Sequence, residues 1–322
     1  MRVIFMGTPD FAVHTLEALL AAGHHISLVV TQPDKPVGRS KALREPPVKR
    51  VAKKHGIPVF QPVKVREPES VEKLRNYPAD VMVVVAFGQI LSKEILAMCP
   101  YGCVNVHASL LPAYRGAAPI QWAILRGEAV TGVTTMQMDE GVDTGDMLLK
   151  TEIPITAVDT GASLHDRLAK AGGELAVETL RQLQENKIVP IPQGDTTTPY
   201  AKMLTKEMGN INWHQTAEEI ERLVRAFHPW PCAYTYLNGK LLKIWQVEIG
   251  CEIDVATPSH TQEGEAFPGQ IVLVDKEHFQ VQTGAGVVRI KEVQIAGKKR
   301  MSVAEFLRGH AVEVGQQFKG GN

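Results

Sequence analysis

Cysteine is scarce, with only Cys99, Cys103, Cys232 and Cys251 in a chain of 322 residues. They are too few and too irregularly spaced for a disulfide framework. Cys99 and Cys103 stand close in sequence, but no second Cys or His pair completes a zinc site, so buried or half-buried thiols are the expected state. Long apolar runs are missing too. The longest unbroken one, Val81 to Phe87, is far short of the roughly 20 residues of a membrane span. Met1-Arg2-Val3-Ile4-Phe5-Met6-Gly7 reads as a first strand ended by a glycine turn, leaving no room for a signal peptide. A soluble, cytoplasmic protein with no membrane contact is expected. The turn after that strand, Gly7-Thr8-Pro9, has one glycine, so the dinucleotide fingerprint is absent where it ought to be. Walker-type phosphate loops, serine nucleophile elbows and paired-histidine metalloprotease spacings are also absent. Hydride and phosphoryl transfer both lose ground.

Excess charge of either sign is lacking overall, since 35 Lys and Arg balance 35 Asp and Glu. The distribution is uneven, however. Between Asp34 and Lys54, eight basic residues (Lys35, Arg39, Lys41, Arg44, Lys49, Arg50, Lys53, Lys54) face only Asp34 and Glu45, a local balance of +6. A second group, Arg289, Lys291, Lys298, Lys299 and Arg300, is opposed only by Glu292. Such patches can hold a polyanion. On charge alone, a solvated lysine-rich face is the readier explanation.

The composition, 44% hydrophobic and 22% charged, is that of a globular chain, and its length suggests two domains. The first half alternates strands and helices. Val3–Met6, Ile26–Thr31, Val59-Phe60, Asp80–Ala86, Cys103–His107, Thr131–Met138 and Leu148–Ile155 read as strands. An amphipathic segment opened by Pro9-Asp10, a basic stretch from Pro46-Pro47 to Lys54, Ala118–Arg126 and Gly161–Asn186 read as helices. Alternation with continuously apolar strands predicts a Rossmann-like α/β domain over 1–188, its mostly parallel sheet covered by helices on both faces. Pro190, Pro192, Gly194, Pro199 and Thr196 to Thr198 mark a linker over 189–203. Beyond it, a helix over Ala217–Phe227 precedes strands at Ala233–Leu237, Leu241–Ile249, Gly269–Val274, His278–Thr283 and Val287–Ile295, predicting a small OB-like β-barrel over 204–322. Ser302-Val303-Ala304-Glu305 has capping-box spacing for a closing helix.

The segment Asn105-Val106-His107-Ala108-Ser109-Leu110-Leu111-Pro112-Ala113-Tyr114-Arg115-Gly116 carries the clearest chemistry. Asn105 and His107 are two apart on a strand, so their side chains leave the same face. They sit at its C-terminal end, where open α/β sheets bind ligands. An amide donor beside an imidazole suits the oxyanion that develops in acyl transfer. A lone histidine there would more often be structural; the amide two residues before it and the Ser-Leu-Leu-Pro after it favour function. The loop Asp139-Glu140-Gly141-Val142-Asp143-Thr144-Gly145-Asp146 offers carboxylates but lacks the ligand pattern of an EF-hand. Asp143, between two glycines, is expected to reach His107, where an anion stabilises an imidazolium.

Asn105 to Gly116 together with Gly141-Val142-Asp143-Thr144-Gly145 resembles the 10-formyltetrahydrofolate-dependent formyltransferases. The resemblance implies an Asn, His and Asp triad at Asn105, His107 and Asp143, and no metal. It also implies folate contacts at Ser109, Leu110, Leu111 and Pro112 and at Phe87, Gly88, Gln89, Ile90 and Leu91. Phe5-Met6-Gly7-Thr8-Pro9-Asp10-Phe11, Gly116-Ala117-Ala118-Pro119-Ile120-Gln121 and Ala226-Phe227-His228-Pro229-Trp230-Pro231 are similar to the branch that formylates initiator methionyl-tRNA for translation initiation. In that branch a basic loop after the second strand enters the acceptor end of the tRNA, and here it falls on Gly38-Arg39-Ser40-Lys41-Ala42-Leu43. Ser40 stands where a second glycine is usual, and Asn212 where the tryptophan motif at Ile211-Asn212-Trp213 usually has aspartate. Arg39, Lys41 and Arg44, with Lys298, Lys299 and Arg300, become the candidate tRNA contacts, and a monomer is expected.

Two other readings remain open. A related formyltransferase acting on a sugar nucleotide or other small amine would share the triad but give no reason for the +6 stretch. A non-catalytic RNA-binding protein on the same scaffold would not need the triad.

Overall fold

The computed structural model describes residues 1–37, 42–196, 198–250 and 266–319. Residues 38–41, 197, 251–265 and 320–322 lie outside them, so Arg39, Ser40 and Lys41 of the basic loop, and Cys251, are not described. The chain forms two compact units. One comprises Met1–Pro119, Ala129–Ile155 and Leu164–Lys202; the other comprises Ile120–Glu128, Thr156–Ser163 and Met203–Asn322.

The strands of the first unit are β1 (Arg2–Gly7), β2 (His25–Val30), β3 (Lys35–Val37), β4 (Ala42–Arg44), β5 (Val59–Phe60), β6 (Val81–Val85), β7 (Cys103–His107), β8 (Val130–Gln137) and β9 (Met147–Pro154). Seven of them form one sheet in the order β5-β2-β1-β6-β7-β8-β9. Pairing is parallel from β5 to β7 and antiparallel from β7 to β9. The crossover helices are α1 (Asp10–Ala21), α2 (Pro47–Lys54), α3 (Pro68–Arg75) and α4 (Lys93–Leu96); α5 (Pro119–Arg126) and α6 (Gly161–Gln184) follow later in the chain.

Period-2 geometry divides the sheet's side chains between two cores. Ile4, Met6, Leu28, Val30, Met82, Val84 and Cys103 pack with Val71 and Leu74 of α3 and Ile95 of α4. Val106, on the opposite face of β7, comes against α6, where a Cβ on Gly172 would lie 3.0 Å from its Cγ1. A hydrogen bond of 2.8 Å between Thr135 and Thr179 ties β8 to the same helix. Asn105 and His107 share the face of Cys103 and so belong to the α3–α4 side. The cysteines are inert where they are described: burial pushes the Cys99 thiol up to about 11, Cys103 to about 12 and Cys232 to about 11. A thiol at those values is almost wholly protonated at neutral pH and is a poor nucleophile.

The second unit contains α7 (Ala217–Ala226), strands β10 (Ala233–Leu237), β11 (Lys240–Ile249), β12 (Ile271–Val274), β13 (Phe279–Gln282), β14 (Val287–Ile295) and β15 (Met301–Ser302), and α8 (Val303–Leu307). The path β10-β11-β14-β13-β12 is antiparallel. Residues 316–319 close it. Gln316 O accepts from Ile271 N and Phe318 N donates to Gly269 O on the β12 side, while Lys319 exchanges both main-chain bonds with Tyr236 of β10. Phe318 also stacks on the buried Trp213 at 5.4 Å, whose indole N–H donates to Thr235 at 3.1 Å. Asn212 Oδ1 accepts from His214 N at 3.1 Å, a bond that the more usual aspartate could also accept. Both helices begin with capping boxes, Thr216 with Glu219 and Ser302 with Glu305. Among the described residues no helix is long and apolar enough to cross a membrane.

Candidate active site

Sheet order puts the C-terminal ends of β1, β6 and β7 side by side, the crevice in which an open α/β sheet presents its loops. Asn105 pairs in register with Val84 of β6 and with Met136 of β8. Its main chain is thus fixed from both sides, and its side chain is only 9% exposed.

His107 is 6% exposed. Its Nε2 lies 3.1 Å from Tyr114 O. A carbonyl can only accept, so Nε2 is the donor in this bond and Nδ1 is the ring nitrogen left to face the loop. Nδ1 faces Asp143 Oδ2 at 3.7 Å, beyond hydrogen-bond length and within ion-pair reach. Asn105 Nδ2 is 3.5 Å from Asp143 Oδ1, a contact at the long limit that leaves the amide loosely engaged. The three predicted groups therefore converge.

Asp143 adopts φ 55°, the left-handed region that Asp and Asn enter more readily than most residues. Its Oδ2 accepts from Gly116 N at 2.9 Å. The neighbouring acids do other work. Asp139 accepts from Gly141 N at 3.0 Å and from the Thr144 hydroxyl at 2.8 Å, bracing the loop. Glu140 pairs with Lys93 at 2.8 Å on the surface.

The candidate folate positions divide by exposure. Ile90 is 69% exposed and Gly88 is exposed, with Leu110 and Pro112 half-buried. Phe87 and Leu91 belong to the sheet core, and Leu111 packs with Met136 and Met147, so these three offer a ligand main chain rather than side chain. Ser109 is fully buried; its hydroxyl donates to Ala113 O at 2.6 Å and closes the Ser-Leu-Leu-Pro turn. Gln89 is committed as well, accepting from Val65 N at 2.7 Å and donating to Pro62 O at 3.0 Å.

Several supports of the site had no motif to announce them. Gln32 Nε2 donates to the carbonyls of Phe87 and Gly88, each at 3.2 Å, and the Thr8 hydroxyl donates to Phe87 O at 3.2 Å. The Thr134 hydroxyl donates to Ser109 O at 2.7 Å and accepts from Leu111 N at 3.0 Å. A cleft of about 570 Å³ lined by Arg75, Tyr77, Glu94, Met98 and Cys99 contains none of the predicted site residues.

Of the candidate tRNA contacts, Arg44 is exposed at the foot of the β3–β4 ribbon, where Lys35 pairs with it in register. The two acids already subtracted in the +6 are paired within the segment, Asp34 with Lys49 at 2.7 Å and Glu45 with Lys53. Hydrogen bonds from Gln61 and then Lys49 hold the Asp34 carboxyl below its usual value. In the other unit Lys298, Lys299 and Arg300 are exposed. Arg300 pairs with Glu292 and lies over the Trp245 ring at 4.9 Å. Glu248 also opposes Arg289 at 3.8 Å and Lys291 at 3.7 Å, a cross-strand partner that the sequence count of that cluster omitted.

This geometry sits within a recognised family. The formyl transferase model matches residues 1–180, and the formyl transferase C-terminal domain model matches residues 203–311. The chain belongs to the formyl transferase family. It is similar to the methionyl-tRNA formyltransferase of Agathobacter rectalis, 53% identical over 99% of this chain and 99% of that protein. Similarity to the one of Geobacter sulfurreducens is 49%, over 99% and 96%. Among solved structures, an N-formyltransferase from Helicobacter canadensis in complex with folinic acid and dTDP-3-aminofucose shares the fold, with TM-score 0.64, 20% identity and coverage of 92% of this chain and 99% of that one. HypX from Aquifex aeolicus with tetrahydrofolic acid shares it too, with TM-score 0.63 and 18% identity over 98% of this chain. This chain spans 50% of HypX. The formyl transferase fold thus accounts for both the α/β sheet and the antiparallel C-terminal sheet. Among the described residues no group of three His, Cys, Asp or Glu is arranged to hold a metal ion.

Proposed function

We propose that this formyl transferase moves the formyl group of 10-formyltetrahydrofolate to the amine of methionine esterified to initiator tRNA, without a metal. The observation that carries the reaction is the meeting of Asn105, His107 and Asp143 at one strand end, with His107 Nδ1 turned toward Asp143 at 3.7 Å. An amide donor, an imidazole and a carboxylate fit a reaction in which charge develops on a carbonyl oxygen while an amine loses a proton. The exposed Ile90 and Gly88 and the half-buried Leu110 and Pro112 fit a flat ring system that carries that carbonyl. The folate donor supplies the formyl group: the bond from the amine nitrogen to the formyl carbon forms, the bond from that carbon to folate N10 breaks, and N10 leaves with a proton as tetrahydrofolate. Asn105 Nδ2 donates to the formyl oxygen as its charge grows, and His107 beside it stabilises the same charge. Asp143 holds the imidazole and helps accept the proton leaving the amine, with water as the relay. The acceptor is inferred from full-length similarity to methionyl-tRNA formyltransferases, 53% over 99% of the chain in one case, and from the basic stretch after β2.

The deciding experiment offers charged initiator methionyl-tRNA and free amino sugars together, with a labelled formyl donor. Label on the methionine is expected; label on an amino sugar would move the enzyme to the sugar-nucleotide branch. For the tRNA contacts, Arg39→Ala is expected to weaken tRNA binding and to lower the salt slope of binding by about one. An unchanged slope in a binding titration across salt concentrations would remove Arg39 from the interface. Lys41, Arg44, Lys298, Lys299 and Arg300 are proposed contacts to be tested in the same assay.

A further inference from the structure

The segment between α6 and the second unit was expected to be a linker, yet it returns to the first unit and engages the site. Ile191 exchanges both main-chain hydrogen bonds with Met147 of β9, at 2.8 and 2.9 Å. Two residues on, Gln193 Nε2 donates to Asp143 O at 2.9 Å and to Gly145 O at 2.7 Å. Its Oε1 accepts from Arg115 Nε at 2.9 Å, and Arg115 Nη2 continues to Gly194 O at 3.1 Å. Further along, Thr198 Oγ1 accepts from Tyr114 N at 2.8 Å, and Tyr114 O is the group that receives His107 Nε2.

We propose that Gln193 is a positioning residue for formyl transfer: its carboxamide clamps the main chain on both sides of Thr144, and so aims the Asp143 carboxylate at His107. The inference rests on reading Asn105, His107 and Asp143 as the transfer site. A carboxamide is the side chain that can meet these demands, offering two N–H donors to two carbonyls and one oxygen to a guanidinium. Glutamate of the same length keeps the acceptor and loses both donors; methionine keeps the bulk and loses everything polar. The Asp143 side chain leaves a backbone in the left-handed region, so its direction follows from how the main chain is held rather than from a regular element. With Gln193 fixing the Asp143 and Gly145 carbonyls and Gly116 N fixing the carboxylate, the loop is held at both its backbone and its functional group.

The test compares Gln193→Met, Gln193→Glu and Asp143→Ala singly, and Gln193→Met with Asp143→Ala combined, in the full-length chain, with formyl donor and charged tRNA each varied. A loop that loses its clamp misplaces the carboxylate, and a displacement of order 1 Å can reduce rate about 10²-fold. Both Gln193 variants should lose kcat by about 10- to 10²-fold, with KM for either substrate changed by less than about threefold, because ground-state contacts are untouched. A general loss of structure would move KM and the thermal midpoint as well. In the Asp143→Ala background, Gln193→Met should lower kcat by no more than about another twofold, since the group it positions is gone. Parental kcat in both Gln193 variants, or losses that add fully in the double variant, would overturn the positioning role while Asp143→Ala remained impaired. Should Asp143→Ala itself turn over at the parental rate, the reading of the site fails instead, and the positioning role falls with it. If Gln193→Met does not fold, Gln193→Glu carries the comparison, including its own double variant.

Discussion

Asn105→Ala is expected to lower kcat by ~10²–10³ while leaving the affinity for charged tRNA near the parental value. The magnitude is that of removing one preorganised donor from an oxyanion site, where the bond counts far more in the transition state than in the ground state. The structure makes the substitution a clean probe. The main chain of Asn105 is paired in register on both sides, with Val84 and Met136, so truncation beyond Cβ leaves the strand in place. Asp143 loses only a contact of 3.5 Å and keeps its bond from Gly116 N at 2.9 Å, so the carboxylate is not set adrift. Asn105→Asp adds a sharper arm. It conserves shape but replaces the donor by a second anion beside Asp143, and it should be at least as slow. Rates come from single-turnover formylation, and tRNA affinity from a binding titration. If Asn105→Ala formylates as the parent does, the amide has no part in stabilising the formyl oxygen.

What made this site legible was period and position rather than any single residue. Cys103 to His107 reads as a strand because alternating apolar residues interrupt two polar ones, and the same period puts Asn105 and His107 on one face. The glycines on either side of Asp143 marked a loop and pointed to its carboxylate, but not to what holds it. That hold comes from Asp139 bracing the loop through Gly141 N and the Thr144 hydroxyl and from Gly116 N capturing Asp143. Gln193 had no local signature at all. It lies in a Pro- and Thr-rich stretch 50 residues beyond Asp143, and only the fold brings the two together. Ser109 and Gln89 show the converse, since a motif named them and the structure employs their polar atoms inside the protein.

The fold divides along similar lines. Strands buried on both faces were found to within a residue or two, because burial on both sides leaves a continuous apolar run. Helix α3 (Pro68–Arg75) escaped notice because only Val71 and Leu74 are buried along it. Helix α4 is a single turn. The β3–β4 ribbon pairs three residues with three inside a charged segment, too short for any period to emerge. Strand direction is not written in apolar pattern either, so the antiparallel edge β7-β8-β9 of a mostly parallel sheet became visible only from the pairing. Gln316 to Lys319 closes the second unit's sheet without a strand-like sequence. Its placement comes from long-range bonds to β10 and β12 and from Phe318 stacking on Trp213.

Gly145→Ala is expected to be the most damaging single-methyl change near the site, lowering kcat by about 10²-fold and stability by roughly 1–3 kcal/mol. Gly145 has no need of a left-handed backbone; its constraint is space. A Cβ there would lie 1.8 Å from Gln137 O, 2.9 Å from Gln137 C and 3.2 Å from Asp139 N, all main-chain atoms with no side-chain freedom to yield. Gln137 ends β8, which is paired to β7 and β9, so the sheet holds still and the loop must move. Asp143 lies two residues away in that loop, and Gln193 grips the Gly145 carbonyl itself, so the displacement passes directly to the carboxylate facing His107. Gly309→Ala, where a Cβ meets nothing within 4 Å, should behave as the parent in both assays and calibrates the comparison. Thermal unfolding with steady-state formylation checks both parts. A Gly145→Ala enzyme that keeps parental kcat would mean that the reaction tolerates a moved Asp143, which is incompatible with the carboxylate acting by its position at His107.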